Sequence, residues 1–298
     1  MLPYSLRKAI YGFKARIRKR KNASVEARLV ELRNIITHNF PIHQVPPATG
    51  KLRLLQEGNA VLLNLFARRC EEHGLRYWLD LGTLLGAVRH RGFIPWDEDL
   101  DVSMTAQEYE KLVKLLPVIF PKEEGFSWSV RSFLQIGYEG TPLNIDVFPW
   151  FFHSSSFSEE NRQLVYDGAD FIKRKCVSVG AYTNMSPEKL KSLICEKIMR
   201  GCDAADEADE PAMFVSPAVG FLKNTYFAYS DIFPLKKMIF EGGEYNVPHH
   251  TRSCLQFYYG DYMSYPPQVG YWHAHMEAVV KSEPFEKAVN LFIDRYGQ

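Results

Sequence analysis

The chain has 298 residues, 46% hydrophobic, 14% aromatic and 24% charged, a globular composition that excludes disorder, collagen-like repeats and coiled coil as the main architecture. Its length suits one large domain or a core with a companion subdomain, and a formal net charge of +1 argues against a uniformly basic nucleic-acid-binding surface. No apolar run reaches the ~18 residues a spanning helix needs, and the N-terminus lacks the apolar core of a signal peptide, so a cytoplasmic protein is expected.

Residues 1–25 hold eight basic side chains and no acid. Within them Leu6, Ile10, Phe13 and Ile17 recur at spacings of four, three and four, the stripe of an amphipathic helix. Such an arm either lies on an anionic membrane surface, through residues 1–22, or packs its stripe on the protein body. In the first case the protein is peripheral on the inner face of the membrane. Residues 41–49 carry three prolines and read as a linker before a long helix from Lys51 to His73, stopped by Gly74.

Arg76–Leu81 reads as a strand running into a tight turn at Gly82 and Thr83, then a short helix Leu84–Arg89. Leu100, Val102 and Met104 alternate with Asp101 and Ser103 as a half-buried strand, and Thr105 with Glu108 forms a capping box for the next helix. Ser127–Ile136 and Leu143–Phe148 read as two more strands. The rear half is less regular: a helix at Pro187–Arg200, an acidic loop Asp203–Glu210, a hairpin through Gly242 and Gly243, and an aromatic helix ending at Gly260. Five cysteines without a CxxC pair fit neither a disulfide framework nor a zinc knuckle.

The chemistry concentrates in 77–104, where Asp97, Asp99 and Asp101 stand at every second position. Two carboxylates two apart on a strand share a face, so Asp99 and Asp101 can aim at one point and hold a hard divalent cation that completes its shell with substrate phosphates. Asp146, in the apolar strand Asn144–Phe148, is the candidate third carboxylate, because a lone charge there needs something to pair with it. Gly82 and Thr83 offer backbone that approaches a phosphate closely. A calcium loop requires glycine where this chain has Val102, and solvated surface acids leave the interleaved apolar residues unexplained. Arg89, His90 and Arg91 could pair with phosphate oxygens or simply be exposed; Lys236 and Lys237 are weaker versions of the same idea. The pairs His249–His250 and His273/His275 lack metal-site spacing and are expected to cap local structure.

The segments Gly82–His90 (GTLLGAVRH), Phe93–Asp101 (FIPWDEDLD) and Asn144–Pro149 (NIDVFP) closely resemble the signature of the LicD family of phosphocholine transferases, which includes the fukutin-related ribitol-phosphate transferases. Phe233–Lys237 and Tyr259–Met263 continue the resemblance. It implies an α+β fold: a nucleotidyltransferase-type mixed sheet flanked by helices, with a mostly helical C-terminal portion. The expected organisation is a basic arm over 1–25, a catalytic core over 26–160 and a helical accessory region with a small hairpin over 161–298. The resemblance further implies that Asp99, Asp101 and Asp146 bind a catalytic Mg²⁺ or Mn²⁺ and carry the catalysis, that Gly82 and Thr83 line the donor phosphates, and that Asp97 is either a ligand or an orienter of Arg89; Arg89 and Lys236 are added as donor-binding candidates on their charge alone. No zinc is expected.

The implied reaction moves phosphocholine, or a related phospho-substituent, from a CDP-linked donor such as CDP-choline to a hydroxyl of a cell-surface glycan or its lipid-linked precursor, releasing CMP. Transfer of a nucleotide from an NTP to a small acceptor, and a non-catalytic nucleotide-binding subunit, are the alternatives. If choline is carried, its ammonium needs an aromatic face. Trp78, Trp96, Trp128, Tyr138 and Trp150 lie near the motif; Trp96, directly before the acids, is the choice, and the others are expected in the core.

Overall fold

A computed structural model of the chain describes residues 24–25, 27–32, 34–130, 133–153, 212–215, 226–266 and 284–297. Packing divides the chain into two units, residues 1–45 with 263–269 and residues 46–262 with 270–298. In the first, helix α1 covers 24–39 wherever those residues are described, followed by a 3-10 turn at Ile42–Gln44 within the proline-rich linker. The stripe Leu6–Ile17, the helix Pro187–Arg200, the acidic loop Asp203–Glu210 and the pair His273/His275 fall outside the described residues.

The second unit begins with α2 (Gly50–Glu72), close to the expected bounds. Its apolar face, including Leu55, Leu62, Leu63 and Phe66, is buried, and each such side chain contributes about 1.5–3 kcal/mol. Gly74, at φ +64°, takes the left-handed conformation that ends the helix without a Cβ clash. Strand β1 is only Trp78–Leu79, shorter than the sequence suggests, because Asp80 leaves the strand to cap the next helix, its carboxylate accepting from Leu81 N–H at 2.9 Å. That helix, α3, runs Leu81–His90 and absorbs Gly82 and Thr83 into its first turn. The glycine turn read from the sequence is therefore a helix start, entered through Leu81 at φ +47°, a costly conformation for a leucine.

Strand β2 (Asp101–Thr105) leads into α4 (Ala106–Ile119), whose start is capped as expected: Thr105 Oγ1 accepts from Glu108 N–H. The single strand expected over 127–136 is a hairpin, β3 (Phe126–Val130) and β4 (Leu134–Tyr138). The period-2 alternation of Phe126, Trp128, Val130, Leu134 and Ile136 runs through the reversal without a change of phase, so it does not mark the turn; Trp128 ends opposite Ile136. Strand β5 (Asn144–His153) follows, then β6 (Ala212–Val215), β7 (Tyr226–Ala228), a one-turn helix α5 (Tyr229–Ile232), the hairpin β8 (Lys236–Phe240) and β9 (Gly243–Val247), α6 (Thr251–Tyr259) and α7 (Pro284–Tyr296).

The main sheet is ordered β1-β2-β5-β4-β3, with β6 on the far half of β5 and β7 beside β6. Strands β2 and β5 are parallel and the other pairs antiparallel, so the sheet is mixed, with helices flanking it. The β8–β9 hairpin is a separate two-stranded sheet. At its tip Glu241 accepts from Arg53 at 2.7 Å and from Phe93 N–H at 3.1 Å, and its own N–H donates to Arg91 O at 2.9 Å. The hairpin thereby fixes the start of the segment that carries the acids. Among the described residues no helix is long and apolar enough to cross a membrane.

Candidate active site

Asp101 opens β2 and Asp146 stands beside it on β5, the two paired in parallel register. Paired residues of neighbouring strands point to the same side, with backbones about 4.8 Å apart. On the far side of β5, Gln135 of β4 is in register with Asp146 and donates to its carboxylate at 2.9 Å. On the near side Asp80, one residue past β1, donates its N–H to Asp101 O at 3.1 Å. A row of four residues, Asp80, Asp101, Asp146 and Gln135, thus crosses four strands.

Asp101 is held from three directions. Its N–H donates to Thr83 Oγ1 at 2.8 Å, its carbonyl takes Asp80 N–H, and its carboxylate accepts from Gly82 N–H at 3.3 Å. Gly82 leaves the acids room: a Cβ there would lie 3.0 Å from Asp97 Oδ2, a tight contact, and 3.5 Å from Asp101 Oδ2, an ordinary one. Thr83 is buried and holds the backbone of Asp101.

Asp97 and Asp99 precede β2 and are not part of it. The shared face expected of Asp99 and Asp101 from strand alternation is therefore not the reason they meet; the loop brings them together. Asp99 is exposed while Asp97, Asp101 and Asp146 are half-buried, so the group opens to solvent. Burial, and then the charges of Asp99, Asp146, Asp97 and Asp80, push the Asp101 carboxyl well above the usual range. Burial likewise raises Asp146 to about 7, opposed by the Gln135 hydrogen bond and helped by the charge of Asp99. The acids repel one another and hold protons they would ordinarily give up, an excess that a cation would relieve. Their oxygens are the donors a hard divalent ion takes. Among the described residues, no three His, Cys, Asp or Glu side chains form a group that could hold a metal as they stand.

Several supporting residues were not singled out in the sequence. Gln56 and Asn59, buried on the apolar face of α2, donate to Asp97 O at 2.8 Å and Glu98 O at 2.7 Å, and Asn59 Oδ1 also accepts from Asn144 N–H. Two amides three apart inside an apolar helical stripe were the available signal. Asp80 is 2% exposed; besides capping α3 it accepts from Ser103 Oγ at 2.7 Å and from Tyr258 Oη at 3.0 Å. Neighbouring Tyr259 feels the negative field of the cluster: burial, then Asp101, Asp97 and Asp80, hold its hydroxyl protonated well above the usual range.

Arg89 lies inside α3 and is buried, donating to Tyr262 O at 2.8 Å with its guanidinium 5.9 Å from the Trp96 ring centre. Of the five aromatics considered, Trp78 and Trp150 are wholly buried edge to face, Trp128 donates to Phe120 O, and Tyr138 packs on Phe126 and Phe292. Trp96 is half-buried next to Asp97. Lys236 is exposed on the β8–β9 hairpin, off the sheet that bears the acids, and Lys237 pairs with Glu71. His249 and His250 contact Pro234 O and Asp231, local roles of the kind their spacing suggested.

A half-open cluster of carboxylates, set by strand register and the loop before β2 and bordered by the first turn of α3, defines a polar, hard-donor site on a mixed sheet. Comparison with known proteins bears on it: residues 74–178, about a third of the chain, match the family described as LicD/FKTN/FKRP, nucleotidyltransferase domain, the family whose signature its motifs resemble. The lipopolysaccharide cholinephosphotransferase LicD of Haemophilus influenzae is 48% identical over 62 residues, 20% of this chain and 23% of that protein. The human ribitol 5-phosphate transferase FKRP is 35% identical over 88 residues, 27% of this chain and 18% of that protein. The mouse ribitol-5-phosphate transferase FKTN is 25% identical over 125 residues, 41% of this chain and 27% of that protein. The matched stretches span under a third of any of these relatives.

Proposed function

We propose that this chain is a phosphotransferase that moves phosphocholine, or a similar phospho-substituent, from a CDP-linked donor to a glycan hydroxyl, releasing CMP. The observation that carries this reading is the parallel register of Asp101 with Asp146, flanked by Asp97 and Asp99, inside the segment that matches the LicD family. Transfer of a phospho-group is also what the names of the cited relatives describe, a ribitol 5-phosphate transferase and a cholinephosphotransferase, the latter named for lipopolysaccharide.

The reaction is a displacement at phosphorus: the acceptor oxygen forms a P–O bond, the bond to the CMP oxygen breaks, and the acceptor proton must leave. Asp99 and Asp101, with Asp146 beside them, are the residues that would hold Mg²⁺ or Mn²⁺. Such an ion, when bound, offsets charge on the phosphates and on the departing CMP oxygen. Asp146 would receive the acceptor hydroxyl's proton, directly or through a water. Thr83, Gly82 and Asp80 keep Asp101 in place, and Gln56 and Asn59 fix the loop of Asp97 and Asp99. Trp96 offers a face to a quaternary ammonium beside the acids, with Arg89 stacked near it. A lipid-linked acceptor would bring the work to the inner face of a membrane.

A donor screen tests the proposal. With membrane extract as acceptor and added Mg²⁺ or Mn²⁺, CMP release is expected from one of CDP-choline, CDP-ribitol, CDP-glycerol or CDP-ethanolamine. Pyrophosphate release from ATP or CTP with none of the four turned over would replace this reading by nucleotide transfer. Nucleotide binding without any turnover would reduce the chain to a binding subunit.

A further inference from the structure

The described residues of helix α1 are exposed almost all round, and its large apolar residues with them. Val25, Leu29, Leu32 and Ile36 follow one another at four, three and four residues, which is one stripe of a helix, and Phe40 stands four residues further on. Leu29 is 59% exposed, Leu32 54% and Phe40 65%. A continuous apolar stripe facing water calls for a covering partner.

The sequence next to the stripe restricts what that partner is. Lys14, Arg16, Arg18, Lys19, Arg20 and Lys21 lie four to eleven residues before Val25, and no acid precedes Glu26. A second copy pairing stripe to stripe in parallel would bring two such cationic segments together, which costs energy at short range. An anionic phospholipid surface satisfies both features at once, with headgroups for the cations and an acyl boundary for the stripe. We propose that α1 and the cations before it dock the protein on an anionic phospholipid membrane, with Val25, Leu29, Leu32 and Ile36 entering the acyl boundary. The docking residues lie in a different unit from the acidic site, and the proposal stands whether or not the chain transfers a phospho-group.

Co-sedimentation of the full chain with sucrose-loaded vesicles tests it, using phosphatidylcholine alone and phosphatidylcholine mixed with phosphatidylglycerol. The protein is expected to pellet with the mixed vesicles and to stay in solution with the neutral ones. The triple variant L29E/L32E/I36E is expected to lower the partition coefficient at least about tenfold, and R18Q/K19Q/R20Q/K21Q to remove the preference for the anionic lipid. Both change positions outside the acidic site, and an unchanged melting temperature confirms their folding. Pelleting by L29E/L32E/I36E equal to that of the unaltered chain overturns the proposal. So does light scattering that shows a dimer broken by that variant while neither protein binds vesicles, which would give the stripe to a second copy. Turnover of a donor is not read in this assay, so its outcome is separate from that of the donor screen.

Discussion

Asp80 and the Asp101–Asp146 pair lie side by side across the same strands, yet they are built in opposite ways. Asp80 is sealed and receives three donors, Leu81 N–H, Ser103 Oγ and Tyr258 Oη. Asp101 is half-open and its carboxylate accepts the Gly82 N–H at 3.3 Å, while Asp146 accepts the Gln135 amide and both face further carboxylates. A buried acid supplied with donors serves as a fastening, since removing it strands its partners. An acid surrounded by other acids keeps a mutual repulsion that a cation would relieve.

The largest effect should come from breaking the repelling set. Asp101→Asn keeps the shape and an acceptor for Gly82 but removes the charge, and CMP release is expected to fall by about 10²–10³-fold or more. Its melting temperature should hold or rise, because a mutual repulsion has been taken away; a variant that loses activity only by unfolding would erase the contrast. Asp80→Ala should do the reverse in kind. Losing the helix cap and stranding the hydroxyls of Ser103 and Tyr258 is expected to cost roughly 2–4 kcal/mol in urea denaturation. A cost near zero would show that Asp80 fastens nothing.

The smallest effect is in the pH dependence of stability. Asp146 is raised from 3.8 to about 7 in the fold, so the folded state holds this proton more tightly than the unfolded chain does. The stability it contributes is complete below about pH 4 and is lost as the pH climbs through about 7, and the raised Asp101 acts with the same sign. Melts in EDTA should therefore show a temperature that declines between about pH 5 and pH 8. Added Mg²⁺ should restore more at the upper end of that range than at the lower. A melting temperature that climbs across it would contradict the tighter hold of the folded state on these protons.

Much of this arrangement was legible in the sequence because it follows local rules. The helix ending at Gly74, the Thr105 cap, the hairpin at Gly242 and the strand around Asp146 all obey periodicity or turn chemistry. Asp146 was singled out both as a charge inside an apolar strand and through the family resemblance, but its register opposite Asp101 was not, since parallel register between strands far apart in the chain leaves no local signature. The fate of Asp80 was hidden for the same reason: Ser103 and Tyr258, the partners that make it a fastening, come from β2 and α6. Gly82 was noticed for its freedom of backbone, but its neighbours in the fold are two carboxylates.

The grip of Glu241 on Arg53, Phe93 and Arg91 ties the start of the acidic loop to a residue nearly 150 positions later. On a ribosome, Asp97 and Asp99 therefore emerge after Gln56 and Asn59, which hold their loop, but long before Glu241, which ties its start. The centre is completed late in synthesis, after the β8–β9 hairpin has left the exit tunnel, so a nascent chain halted before residue 241 would display the whole acidic motif while lacking one of the anchors of its loop.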